Sequence, residues 1–222
     1  MKALYILILS FLTIQGINAQ TLHALLVGAT ADESIGKGAS VDLDNMLKLV
    51  QDVVAVTDCE PDILRYNDSD CTKKKVIEWI NSRDIKNDDV VLFFYSGHGG
   101  RAVNDPDSFP QMCMNRPAVE SLYMPVSHVD KLLERKGAKF RIIITNCCNS
   151  KSDNISIKPL FAMSSNNSTM IDEYDMQKLV DLFFNQKGRA IITSSKPGQY
   201  SWIDSRSHEE GGTGGVLTSI FI

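Results

Sequence analysis

After its first nineteen residues the chain has no apolar run near the roughly 20 residues needed to cross a bilayer, so a membrane span is not expected in the remainder. It has no repeat of 20–50 residues and no low-complexity tract, which removes solenoids, collagen-like chains and long coiled coils. Basic residues are not in excess: 23 Lys and Arg stand against 27 Asp and Glu, and the net charge of −4 argues against a nucleic-acid binder. Cys-x-x-Cys and His-x-x-x-His spacings are missing, so no structural zinc site is expected, and no other metal is assigned. No cofactor motif is present either. The five cysteines, Cys59, Cys71, Cys113, Cys147 and Cys148, are too few and too scattered for a disulfide-dense small domain. Their odd number leaves at least one thiol unpaired.

What remains is ordinary globular composition, 43% apolar and 23% charged, over 222 residues. Lys2 followed by the apolar run Ala3–Ile14 and the small residue Ala19 has the three-part pattern of a secretory signal peptide, cleaved after Ala19. Residues 20–222 are then a single domain, expected in an exported location, periplasmic or extracellular. Without Lys2 the mature charge is 22 − 27 = −5.

Buried strands are expected at Leu22–Val27, Ile63–Tyr66, Val90–Tyr95, Phe140–Thr145 and Ala190–Thr193, where short apolar runs end in Gly or polar residues. Helical spacing marks Val41–Val56, a segment capped by Thr72 and carrying Val76, Ile77 and Ile80, Ser127–Arg135 and Asp175–Asn185. Residues 101–121 read as a Pro-, Asn- and Asp-rich excursion, Asn149–Thr169 as a polar loop, and Asp88-Asp89 as a turn. His23 and His128 are expected to be structural and His208 solvated. Alternating strands and amphipathic helices give an α/β fold with a mostly parallel sheet flanked by helices.

In such sheets reactive groups collect beyond the carboxyl ends of the strands. His98 follows Val90–Tyr95, and Cys147-Cys148 follows Phe140–Thr145. An imidazole beside a thiol takes its proton, making the sulfur nucleophilic, and later protonates a leaving amine. The Gly99 N–H, with the cysteine's own N–H, is placed to hold an oxyanion.

The segments Val90–Gly99, with its Ser96-Gly97-His98-Gly99, and Ile142–Ser150 resemble the caspase-like cysteine peptidases, including metacaspases and bacterial relatives. The separation 148 − 98 = 50 is similar to the spacing of about 50 residues seen in caspases. Gly38–Met46, Ala190–Ser195 and Gly214–Thr218 extend the resemblance over most of residues 22–219. It implies a three-layer caspase-like sandwich and an endopeptidase acting on protein or peptide substrates through a Cys-His dyad and an acyl-enzyme. The family's order of polar residue, small residue, nucleophile is met by Asn146, Cys147 and Cys148; the register with Cys147 as nucleophile is the alternative. The resemblance also implies that Asp42 and Asn146 read the substrate residue before the cut, favouring a basic one, although Asn146 stands where an acid is usual. Read without it, Asp42 is a first-turn residue favoured by a helix dipole. Asn149–Thr169, with Lys151 and Lys158, is similar to the segment that related enzymes cut on activation; by composition it is a linker. Asn67, Asn154 and Asn167 open glycosylation acceptor patterns. The apolar end at Phe221-Ile222 reads as a truncation. A non-catalytic scaffold, and a transpeptidase or amidase using the same dyad, are the rival functions.

Overall fold

The computed structural model describes residues 19–114, 123–151, 173–204, 206–207 and 209–218. The signal-peptide pattern up to Asn18, Asn154, Lys158, Asn167, His208 and the Phe221-Ile222 end lie outside these residues. In chain order the elements are β1 (Thr21–Gly28), α1 (Gly36–Ala55), β2 (Glu60–Tyr66), α2 (Lys73–Ser82), β3 (Val90–Ser96), β4 (Gly99–Gly100), β5 (Gln111–Cys113), β6 (Tyr123–Pro125), α3 (Val126–Glu134), β7 (Phe140–Asn146), α4 (Glu173–Phe184) and β8 (Gly188–Thr193).

The apolar runs pair into a five-stranded sheet in the order β2-β1-β3-β7-β8, every neighbour parallel. Because side chains alternate across a strand, each run supplies two cores. Leu25, Val27, Phe93, Tyr95 and Ile143 face Val76, Trp79 and Ile80 of α2 and Val129 and Leu133 of α3. Leu22, Leu26, Leu92, Phe94 and Ile144 face Leu43, Met46 and Val50 of α1 and Phe183 of α4. The result is the expected three-layer α/β sandwich.

Several boundaries move. Helix α1 begins at Gly36, five residues before the apolar spacing starts. Its first turns hold Gly36 and Gly38, where a Cβ would collide with the Thr30 and Asp204 carbonyls, so close backbone packing replaces apolar side chains there. Strand β2 begins at Glu60 rather than Ile63. Thr72 does cap α2, its side chain accepting the Lys75 N–H at 3.1 Å. The stretch read as an irregular excursion contains β5, which pairs antiparallel with β4 and β6 in a separate small sheet. Strands of two or three residues are too short to show alternation in sequence.

Asp89 is more than a turn residue. It is buried and accepts the N–H groups of Thr21 at 2.9 Å and Lys86 at 2.7 Å, tying the starts of β1 and β3 together. His23 bridges it, at 3.2 Å, to Asp62 at 2.8 Å, and so is structural as expected.

Two outcomes follow. Phe93→Ala, which empties a fully buried position of the central strand, is expected to cost about 3–5 kcal/mol in denaturant unfolding. Burial raises Asp62, but hydrogen bonds from His23 and Arg83 outweigh it and hold the carboxyl below its usual value of 3.8. Its stabilisation is therefore present above that value and lost as pH falls through the folded-state value. Asp62→Asn is expected to flatten the acid limb of a stability–pH curve.

Candidate active site

Strands β3 and β7 run parallel with Ser96 opposite Asn146, so the segments leaving their carboxyl ends emerge side by side. The Gly97 N–H donates to the Asn146 carbonyl at 3.2 Å, prolonging the pairing by one bond. His98 comes next and is 8% exposed. Gly99 packs so tightly on the cysteine segment that a Cβ would stand 2.8 Å from both Cys147 Sγ and the Cys148 carbonyl oxygen. The Cys113 N–H donates to the His98 carbonyl at 2.8 Å. That bond flanks the Gly99–Met112 pair of the ladder, which directs the Gly99 N–H away from β5.

The two cysteines have different surroundings. Cys147 joins the core with Tyr95 and Ile143 and is 1% exposed. Its N–H donates to Ser194 Oγ at 3.1 Å and its carbonyl accepts from Ser195 Oγ at 2.7 Å. Burial, reinforced by Cys148, pushes the Cys147 thiol far above its ordinary value. Cys148 is only partly buried. The Ser201 N–H lies 3.4 Å from its sulfur. Burial raises this thiol as well, and the Ser201 N–H works against the rise. No disulfide forms: all five cysteines are free thiols.

Behind the cysteines lies a closed polar cluster. Asp42 sits beyond the first turn of α1 and is fully buried, which sets aside the helix-dipole reading. Its Oδ2 accepts from Ser96 Oγ at 2.5 Å and Asn146 Nδ2 at 2.7 Å; its Oδ1 accepts the Gly215 N–H at 2.6 Å. Asn146 Oδ1 in turn accepts from Ser201 Oγ at 2.7 Å, and Ser201 shares a 2.6 Å contact with Ser194. Asn146 thus donates to one partner and accepts from another, which a carboxylate cannot do. Despite these donors, burial sets the balance and raises the Asp42 carboxyl above 3.8. The folded chain holds this proton above the pH where the unfolded chain releases it, so Asp42's contribution to stability declines as pH rises through the folded-state value.

Asp42 and Asn146, expected to face a substrate, are therefore brought together but are sealed beneath Gly214-Gly215. Gly214 has φ +74°, a conformation that favours glycine, and a Cβ there would collide with Asp42.

Other residues at the site carried no signal strong enough to single them out. Asp32 and Ser34, in the turn between β1 and α1, both reach His98: Nε2 lies 3.2 Å from Asp32 Oδ2 and 3.3 Å from Ser34 Oγ. An acid and a hydroxyl just past the first strand were the available hint. On the other side, Ser201 is flanked by Tyr200, 55% exposed, and Trp202, 42% exposed. The Trp202 carbonyl accepts the Val216 N–H at 3.2 Å, and Ile203 bridges Gly215. This strip beside Cys148 resembles loop in sequence because only tertiary pairing organises it. Among the described residues, no group of three or more His, Cys, Asp or Glu side chains is arranged to hold a metal ion.

The chain is similar in fold to a crystal structure of a protein from Geobacter sulfurreducens, with a TM-score of 0.52 and 15% identity over 89% of this chain and 79% of that one. A search of curated proteins returns no match. A family model described as the caspase domain matches residues 21–222, from the first residue of β1 onward. A shared fold at 15% identity establishes only architecture, but a family match along the whole described domain establishes kinship: this chain belongs to the caspase domain family of cysteine peptidases.

Proposed function

We propose that this chain is an exported cysteine endopeptidase in which Cys148 is the nucleophile and His98 the general base and acid. The observation that carries the choice of sulfur is the contrast in burial. Cys147 is closed into the core, its sulfur packed against Gly99, whereas Cys148 is partly open, with its carbonyl against Gly99 and its sulfur facing the Ser201 N–H. The leading apolar segment supports export.

The chemistry follows from these positions. Cys148 Sγ attacks the scissile carbonyl carbon while its proton passes to His98. The Gly99 and Cys148 N–H groups hold the oxyanion of the tetrahedral intermediate. Collapse breaks the C–N bond, and His98 returns the proton to the leaving amine. Water, deprotonated by His98, then hydrolyses the thioester and frees the sulfur. Burial raises the Cys148 thiol, so a base within reach of the sulfur favours the attack.

A basic residue before the cut is part of the same proposal, with a physical condition attached. Asp42 is the carboxylate beneath the site, and Gly214-Gly215 must lift from it before a guanidinium or ammonium group can pair with it. The preference expects Arg and Lys peptides to be cut faster than Asp or Leu peptides; equal rates would sink it.

A peptidyl acyloxymethyl-ketone, with mapping of the adduct, tests the central claim. The expected outcome is labelling of Cys148, lost in Cys148→Ala, retained in Cys147→Ala, and slowed on the order of 10²–10⁴-fold in His98→Ala. Labelling confined to Cys147 would reverse the assignment, and no labelling with no turnover would favour a non-catalytic scaffold. Products carrying an added amine would indicate acyl transfer rather than hydrolysis. Separately, Asn146→Asp replaces the donor facing Asp42 with a second acid. It is expected to lower stability by about 1–3 kcal/mol in denaturant unfolding.

A further inference from the structure

The loops after β1 and β3 meet at the point where the sheet order reverses. From β1 the chain passes through α1, on one face, to the outer strand β2, then returns through α2, on the opposite face, to β3 on the other side of β1. Connections leaving adjacent strands in opposite directions open a crevice at their carboxyl ends. Asp32 and Ser34 enter it from the β1 side and His98 from the β3 side.

We propose that Asp32 is a positioning residue for His98, completing a Cys148–His98–Asp32 relay; this rests on the dyad proposed above. The Asp32 side chain is 3% exposed and its two oxygens divide their work. Oδ1 accepts from Ser34 N–H at 2.9 Å, Ser34 Oγ at 2.6 Å and Ile35 N–H at 3.2 Å, which fixes the turn leading into α1. Oδ2 faces His98 Nε2 at 3.2 Å. Ser34 Oγ, having donated its proton to Oδ1, keeps a lone pair for the same Nε2–H at 3.3 Å.

The Ser34 contact calls for a proton on Nε2, because that hydroxyl has already given its own to Oδ1, and the tautomer so selected leaves Nδ1 to accept the thiol proton, while Oδ2 stands at ion-pair distance. When the Cys148 proton moves to Nδ1, the imidazolium that forms keeps its Nε2–H against a shielded carboxylate. The proton stays on the ring; Asp32 stabilises the charge and holds the ring plane without taking it. Asp32 and Ser34 from the β1–α1 turn face the His98 ring, the cysteine segment after β7 packs against the neighbouring Gly99, and Tyr95 Oη donates to the His98 carbonyl at 2.9 Å.

The turn-fixing and charge roles separate cleanly in Asp32→Asn. An amide oxygen at the Oδ1 position keeps the acceptor for the turn, while an NH₂ replaces the oxygen facing Nε2. The expected result is an unchanged melting temperature and KM, with kcat lower on the order of 10²–10⁴-fold. Alkylation of Cys148 by iodoacetamide near pH 6 is expected to slow, and the acidic limb of the kcat/KM profile to move to lower pH, because a neutral amide no longer favours the imidazolium. Asp32→Ser, which also keeps a turn acceptor without a carboxylate, provides the same readouts should the amide variant misfold. A folded Asp32→Asn with wild-type kcat, alkylation rate and pH profile overturns the role of Asp32 and leaves the dyad standing. With Asp32 intact, a Cys148→Ala variant that changes neither turnover nor labelling overturns the dyad and this inference together.

Discussion

The parallel pairing of β3 with β7, in the register that sets Ser96 opposite Asn146, is the constraint on which the site depends. Two strands buried on both faces cannot slip by one residue without turning each core inside out, so the register is held by the packing of Phe93 and Tyr95 on one side and Phe94 and Ile144 on the other. Once it is fixed, the Gly97 N–H finds the Asn146 carbonyl. The histidine and cysteine segments then leave the sheet together, 50 residues apart in sequence yet touching at Gly99.

Burial just beyond β7 decides what each cysteine can do. Past the end of β7 the first of the pair keeps the side of Ile143 and enters the core beside Tyr95. Cys147 is that residue, and burial makes its thiol a poor source of thiolate. Cys148 faces the strip formed by Ser201 and its neighbours. A vicinal pair with identical chemistry, just past the end of β7, is thus divided by burial into a packing residue and a reactive candidate.

The cluster around Asp42 shows how a polar group survives in a dry place. Three donors converge on it, and Asn146 links it through Ser201 to the edge of Cys148. Each bond alone contributes on the order of 1 kcal/mol, but leaving any buried member unpaired would cost more than that. The cluster binds the C-terminal segment at Gly214-Gly215 to the sheet, and couples the shape of the Ser201 strip to α1.

The central sheet, the amphipathic helices, the His98–Cys148 spacing and the likeness to caspases were legible in the sequence because local periodicity and contiguous motifs carry them. The start of α1 and the short strands β4 to β6 were not, since glycine packing and two-residue strands leave no periodic trace. Nothing in the sequence singled out Asp32, and Asp42 stood either as a substrate-reading residue by resemblance or as a first-turn acid. Only the folded chain places one against His98 and closes the other beneath Gly215. The sequence by itself determined which segments are strands and which reactive side chains end them. The tertiary structure alone decided which strand ends are neighbours and which side chains are shielded from water, because those depend on contacts between residues far apart in the chain.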